Sequence, residues 1–282
     1  MTGQTPRRRA DGSYSTAWRN FSKIILRPGI RMMMKLDWAG QQHIPAQGAT
    51  ILAVNHLSYM DIFAVSLFAD SARRYPVFLA KSSLFDIPAL GAVLARLGQL
   101  PVFRGQADAA LVLREAEMVA RSGACVIFYP EATVTRDPDL WPMVSKTGVA
   151  RLALETGAPV VPVAHWGAQK VLPYGRVFPR LLPRKTVQII AGPPVDLSAF
   201  AGQKPTPQVL RAMTQQIMSD VTVLVGQLRG ETPPPEPFRP AAAGRQPLSE
   251  PRPPAQEGGG APAQSTPLTP PADPAAPPAP AR

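Results

Sequence analysis

The chain has 282 residues, of which 45% are hydrophobic and 17% charged, with a formal net charge of +11. That length builds one sizeable core with appendages. A lone cysteine, Cys125, excludes a disulfide framework or a cysteine-based zinc site within the chain, and 7% aromatic residues without an arginine-interleaved patch argue against nucleic-acid binding.

The charge is uneven. The last segment, 231–282, holds 17 of the 35 prolines with four basic and five acidic residues, which leaves residues 1–230 with 26 basic and 14 acidic side chains, a net +12. A body this basic points to an anionic partner such as a membrane surface or a phosphorylated substrate. The tail itself buries too little apolar surface to offset its chain entropy and is expected to be disordered.

At the N-terminus, "RRR" (7–9) is followed by no clean apolar stretch, so no secretory signal is expected. The stretch "FSKIILRPGIRMMMKLDW" (21–38) is interrupted by Lys23, Arg27, Arg31 and Lys35. It is too charged to span a bilayer, but as a basic amphipathic segment, broken by Pro28–Gly29, it suits an anionic leaflet. The competing reading is an arm packed on the protein's own core. The chain is therefore divided into a membrane-associating segment (1–40), a folded domain (41–230) and the tail (231–282).

Within the domain, apolar runs alternate with helical patterns. "TILAVNH" (50–56) reads as a strand and is followed by a helix to about Phe68. "PVFLAK" (76–81) is a second strand, "LFDIPALGAVLARLG" (84–98) a helix, and "QLPVFR" (99–104) a third strand. "DAALVLREAEMVARSG" (108–123) is a helix with Asp108 as its cap, and "CVIFYP" (125–130) a fourth strand. "GVARLALETG" (148–157) is a helix, "PVVPVAH" (159–165) and "KTVQIIAG" (185–192) are strands, and an amphipathic helix covers about Thr206 to Leu228. Strands that read as continuous apolar runs between helices predict an α/β fold, with a mostly parallel central sheet covered by helices on both faces.

In such sheets, ligands bind beyond the carboxyl ends of the strands. His56, Lys81, Arg104, Glu131 and His165 each lie at such an end, so one rim is expected to gather them. His56 and Asp61 are five apart, which on a helix would set them about 140° from each other; a turn between strand and helix removes that obstacle. A carboxylate on Nδ1–H fixes the imidazole tautomer and frees Nε2 to take a proton. The plainer alternative has His56 closing the strand and Asp61 capping the helix. Ser58 lies between them without a G-x-S-x-G elbow, and reads as a turn residue rather than a nucleophile. Arg104 and Lys81 are cations suited to a phosphate or to an ion pair with Glu131. No metal-ligand cluster and no glycine-rich phosphate loop is present in the sequence.

"NHLSYMD" (55–61) resembles the N-H-x-S-x-x-D block of the glycerolipid acyltransferases, the PlsC-like enzymes. "LPVFRG" (100–105), "FYPEATVTRD" (128–137) and "VVPVAH" (160–165) resemble the three further blocks of that family, in order, across roughly residues 40–200. The resemblance implies the glycerolipid acyltransferase fold for residues 41–230. It also implies transfer of a fatty acyl group from acyl-CoA or acyl-carrier protein to the sn-2 hydroxyl of 1-acylglycerol-3-phosphate, giving phosphatidic acid without a cofactor or metal. By that implication His56 is the base and Asp61 its orienter. Arg104 holds the acceptor phosphate, with Lys81, Glu131, Thr133 and Arg136 completing the substrate site. The implied setting is peripheral, on the cytoplasmic face of the cell membrane, with a lysophospholipid as partner and no nucleic acid. Three positions depart from the family pattern: Ala132 replaces Gly, Val134 replaces Arg, and Ala164 replaces Pro. If position 132 needs a positive φ, Ala strains it by roughly 1 kcal/mol. If the loop bulges, Arg136 stands in for the missing Arg. The departures admit another lysolipid or glycerol-3-phosphate as acceptor, or a relative that binds lipid without catalysis.

Overall fold

The computed structural model describes residue 24 and residues 27–240, apart from 89, 97–98, 103–105 and 177. A short helix, α1 (Arg27–Met33), leads into strand β1 (Met34–Ala39). Then follow β2 (Thr50–Val54), α2 (Asp61–Ser71), β3 (Pro76–Lys81), α3 (Leu90–Arg96), β4 (Leu100–Val102), α4 (Gln106–Arg121) and β5 (Cys125–Phe128). The chain continues through α5 (Gly148–Thr156), β6 (Val160–Trp166), α6 (Ala168–Val171), β7 (Lys185–Ala191) and α7 (Pro207–Arg229).

The seven strands form one sheet in the order β1-β7-β6-β2-β5-β3-β4. Pairings are parallel except β6 with β7, which is antiparallel. The mostly parallel sheet is thus as expected, with β1 and β7 reversed at one edge. Strand β2 is central, and it is buried at every position because both of its faces are covered. Leu52 and Val54 join Phe68, Ala64 and Val65 of α2 on one side. Ile51 and Ala53 join Ala116 and Val119 of α4, Val149 and Leu152 of α5 and Ile217 and Val221 of α7 on the other. Helix α7 is bounded by its own local chemistry. Thr206 Oγ1 accepts the Val209 N–H at 3.3 Å, Pro207 opens the first turn, and Gly230 closes the last in the left-handed region at φ 66°.

Four features differ from the sequence expectation. Residues 34–39 belong to the sheet, so the N-terminal segment does not extend as a separate unit to residue 40: β1 pairs with β7 from Met34–Lys185 to Ala39–Ile190. An edge strand tolerates Lys35 and Asp37 on its open sides, which hid the strand signal. Helix α1 begins at Arg27 and contains Pro28 and Gly29, since proline is compatible with a first turn. Asp108, expected to cap α4, lies within its first turn. Finally, residues 231–240 pack on the domain: Val144 N–H donates to Phe238 O at 3.0 Å, and Arg229 pairs with Glu231 at 2.5 Å. Residues 241–282 and most of 1–26 lie outside the described residues. Among the described residues no helix is long and apolar enough to cross a membrane.

Candidate active site

The site is built where β2, β5 and β6, three adjacent strands, run out at their carboxyl ends. Backbone pairing of β2 with β6 gives way to a side chain. Asn55 Nδ2 donates to His165 O at 3.1 Å, and Asn55 Oδ1 accepts the His165 N–H at 2.9 Å. That buried amide fixes where the chain leaves the sheet, and hence the direction of His56. The next turn closes around a carboxylate. Asp61, the first residue of α2, is fully buried, and its Oδ2 accepts the N–H groups of Leu57 at 3.0 Å and Ser58 at 3.1 Å. The same oxygen lies 2.9 Å from His56 Nδ1. The turn brings the two side chains together across a spacing that a helix would have separated.

Because Asp61 takes the proton-bearing Nδ1, the lone pair of neutral His56 resides on Nε2. Ser58 is committed elsewhere: its Oγ donates to Leu172 O at 2.7 Å and accepts the Met60 N–H at 3.1 Å. It is a turn residue, as the sequence suggested. His165 is the second imidazole on the carboxylate. Its Nε2 lies 3.2 Å from Asp61 Oδ2 and 2.9 Å from Asn55 O. Both neighbours are acceptors, so Nε2 carries the proton.

Burial pushes the Asp61 carboxyl up, but the His56 charge and the hydrogen bonds from both histidines outweigh it and hold it well below the usual carboxylate range. Burial acts to lower His56; the Asp61 charge and hydrogen bond, with Glu131 behind them, reverse this and raise it above the ordinary histidine value. The result is an ionised, fixed orienter and a base of increased basicity.

The chain after β5 forms the other wall. The Tyr129 ring stacks on the His56 ring, with centroids 4.4 Å apart and planes at 27°. Burial, and then the neighbouring Asp61 carboxylate, push its phenol well above the usual range. Glu131 is a buried clamp: Oε1 accepts the His56 N–H at 3.0 Å and Oε2 accepts the Met143 N–H at 2.9 Å. Burial lifts its pKa to about 7 against the pull of those two donors and of His56. Ala132 does take a positive φ, 58°, so the strain foreseen for a residue other than glycine is present.

Residues 35–166 match the family model described as Acyltransferase. Over this segment the chain is similar to that family. Over 146 residues the chain is 32% identical to the 1-acyl-sn-glycerol-3-phosphate acyltransferase BAT2, chloroplastic, of Brassica napus, covering 50% of this chain and 40% of that one. A 1-acyl-sn-glycerol-3-phosphate acyltransferase of Pseudomonas aeruginosa is 28% identical over 183 residues, covering 62% of this chain and 64% of its own. The chain thus spans about two fifths of the plant relative's length. The crystal structure of PlsC, the 1-acyl-sn-glycerophosphate acyltransferase of Thermotoga maritima, superposes with a TM-score of 0.58 at 24% identity, over 76% of this chain and 80% of that one. It shares the fold.

His56, Glu131 and His165, three of the five residues expected at one rim, converge here, and Asp61 joins them from the first turn of α2. Lys81 ends β3, next to β5 in the sheet. Arg104 lies outside the described residues. Thr133 is half-buried in the loop after Glu131. Val134, in place of the family's arginine, is buried, and Arg136 is exposed with its N–H 3.1 Å from Met143 Sδ. Asn55 and Tyr129 went unassigned from sequence, and His165 was placed at the rim without a role. Asn55 stands in the N-H block and His165 at a strand end, which were the available signals; Tyr129 gave none, since an aromatic residue at a strand end reads as core.

Proposed function

We propose that the protein transfers a fatty acyl group from acyl-CoA or acyl-carrier protein to the sn-2 hydroxyl of 1-acylglycerol-3-phosphate. The observation that carries this reading is the His56–Asp61 contact at 2.9 Å, which leaves Nε2 as the basic nitrogen. As the acceptor oxygen attacks the thioester carbonyl, Nε2 takes its proton. The tetrahedral intermediate then collapses, the C–S bond breaks, and the imidazolium returns the proton to the departing sulfur. Asp61 remains ionised throughout and stabilises the imidazolium.

Ser58 supports direct transfer, because its hydroxyl points to the Leu172 carbonyl and not to His56. In this reading Arg104 and Lys81 bind the acceptor phosphate, and Thr133 and Arg136 border the acceptor. Glu131 shapes that region by tying the His56 backbone to Met143. The reaction takes place at the cytoplasmic face of the cell membrane, where the lysolipid resides. The buried Val134 in place of the family's arginine favours one alternative, a different acceptor headgroup served by the same chemistry.

The test is an acceptor panel offered with one labelled acyl-CoA and, in parallel, one acyl-carrier protein, read by product mass. Phosphatidic acid from lysophosphatidate supports the proposal. Product from another lysolipid or glycerol-3-phosphate alone reassigns the acceptor, and no transfer to any acceptor refutes it.

A further inference from the structure

The segment between α6 and β7, residues 172–184, has an unusual surface. Phe178 is 84% exposed and Leu182 85%, with Tyr174 and Leu181 also turned to solvent. Scattered exposed apolar side chains are ordinary; a cluster of large ones on one loop marks an interaction surface. The same segment is basic. Arg176, Arg180 and Arg184 recur at every fourth position, flanked by Lys170 and Lys185, and no acidic residue occurs between Glu155 and Asp196.

The loop is anchored at both ends to places that matter. At its start, the Leu172 carbonyl accepts the Ser58 hydroxyl from the turn that joins His56 to Asp61. The Tyr174 ring lies 6.5 Å from that of Tyr59, which is itself exposed and 6.5 Å from His56. At its end, the Arg184 guanidinium donates to the backbone carbonyls of Arg31 and Met34, beside the exposed Met32 of α1. One apolar and basic surface therefore runs from the mouth of the catalytic turn, along the loop, to α1.

We propose that residues 172–176 and 178–184 form a membrane-docking surface that seats the His56 side of the domain on an anionic leaflet. Phe178, Leu181 and Leu182 enter the boundary between headgroups and acyl chains, while the arginines lie at the level of the lipid phosphates. The charge selects the occupant. A second copy of this chain would bring the same uncompensated positive charge to the contact, whereas an anionic leaflet supplies apolar depth and negative charge together. The docking surface rests on the lipid-acceptor reading and adds to it how an embedded acceptor reaches the base: Tyr59 and Tyr174 border the route from the leaflet to His56.

The experiment uses the full chain and flotation with vesicles of phosphatidylcholine, alone or mixed with phosphatidylglycerol. Replacing Phe178 and Leu182 together by Ser is expected to weaken partition to the mixed vesicles by about tenfold or more. Replacing Arg176 and Arg180 together by Gln is expected to weaken binding to the mixed vesicles only, and high salt is expected to reproduce that loss in the wild type. Transfer to a vesicle-embedded long-chain lysophosphatidate falls with partition, while transfer to a monomeric short-chain acceptor is unchanged. Wild-type partition in both variants overturns the proposal. So does a wild-type dimer that the Phe178 and Leu182 changes dissociate, which would assign the surface to a second copy. If the wild type acylates neither acceptor, the functional reading fails, and the flotation results still decide the docking surface.

Discussion

His165 Nε2 lies 3.2 Å from Asp61 Oδ2, the oxygen that also holds His56 Nδ1. Two imidazoles on neighbouring strand ends are thus fastened to one carboxylate, one exposed enough to meet a substrate and one wholly buried. Asp61→Asn removes the charge and halves the accepting capacity at this point. Turnover should fall by about 10²–10⁴-fold, in the range of a misoriented general base. The pH profile should move as well. The base acts when neutral, and the Asp61 charge raises the His56 pKa, so the wild-type rate rises with pH through a limb above the ordinary histidine value. Without the Asp61 charge, burial is opposed only by the weaker pull of Glu131, and the limb moves to lower pH. A kcat/KM profile with its acid limb unmoved would show that Asp61 does not steer His56.

Ser58→Ala separates direct transfer from a serine nucleophile. The hydroxyl bridges Leu172 O and the Met60 N–H, so its loss should cost about 1 kcal/mol of stability with a modest fall in rate. A burst of thiol release in the wild type that disappears in the variant, together with loss of turnover, would reassign Ser58 as nucleophile.

Glu131 gives the fold a pH dependence of defined sign. Its folded pKa, about 7, stands above the usual glutamate value because burial disfavours the charged form. Its contribution is therefore complete at pH below the unfolded glutamate pKa and is lost as pH rises to about 7. Glu131→Gln should lose stability overall, because an amide cannot accept from both the His56 and Met143 N–H groups. It should also show a shallower decline of Tm across that window than the wild type. Parallel Tm curves for the two proteins would contradict the assignment.

Ala132 sits at φ 58°. Ala132→Gly releases left-handed strain of about 1–2 kcal/mol and returns part of it through the greater freedom of the unfolded chain. The expected outcome is a gain of up to about 1 kcal/mol, or a few degrees in Tm for a domain of this size. A lower Tm in thermal denaturation would mean that the methyl group is held by packing that offsets the strain.

The central strands were legible in the sequence because strands covered on both faces read as uninterrupted apolar runs, as in β2 and β6. Strand β1 was hidden by Lys35 and Asp37, which an edge position accepts. The packing of Phe238 beside Met143 was hidden by the proline-rich composition around it. The His56–Asp61 pair could be read from spacing because a single turn joins the two residues. His165 approaches Asp61 from far along the chain, a closeness created by the strand order and not by any local pattern. Glu131 was readable as a functional position, but its attachment to two backbone N–H groups depends on where Met143 folds back, which the sequence does not display.

The most direct measurement is acyl transfer by His56→Ala, assayed with labelled acyl thioester and lysophosphatidate on protein whose Tm matches the wild type. Loss of turnover by about 10²-fold or more is the expected result. A folded variant that retains most of its rate would contradict the assignment of His56 as the base.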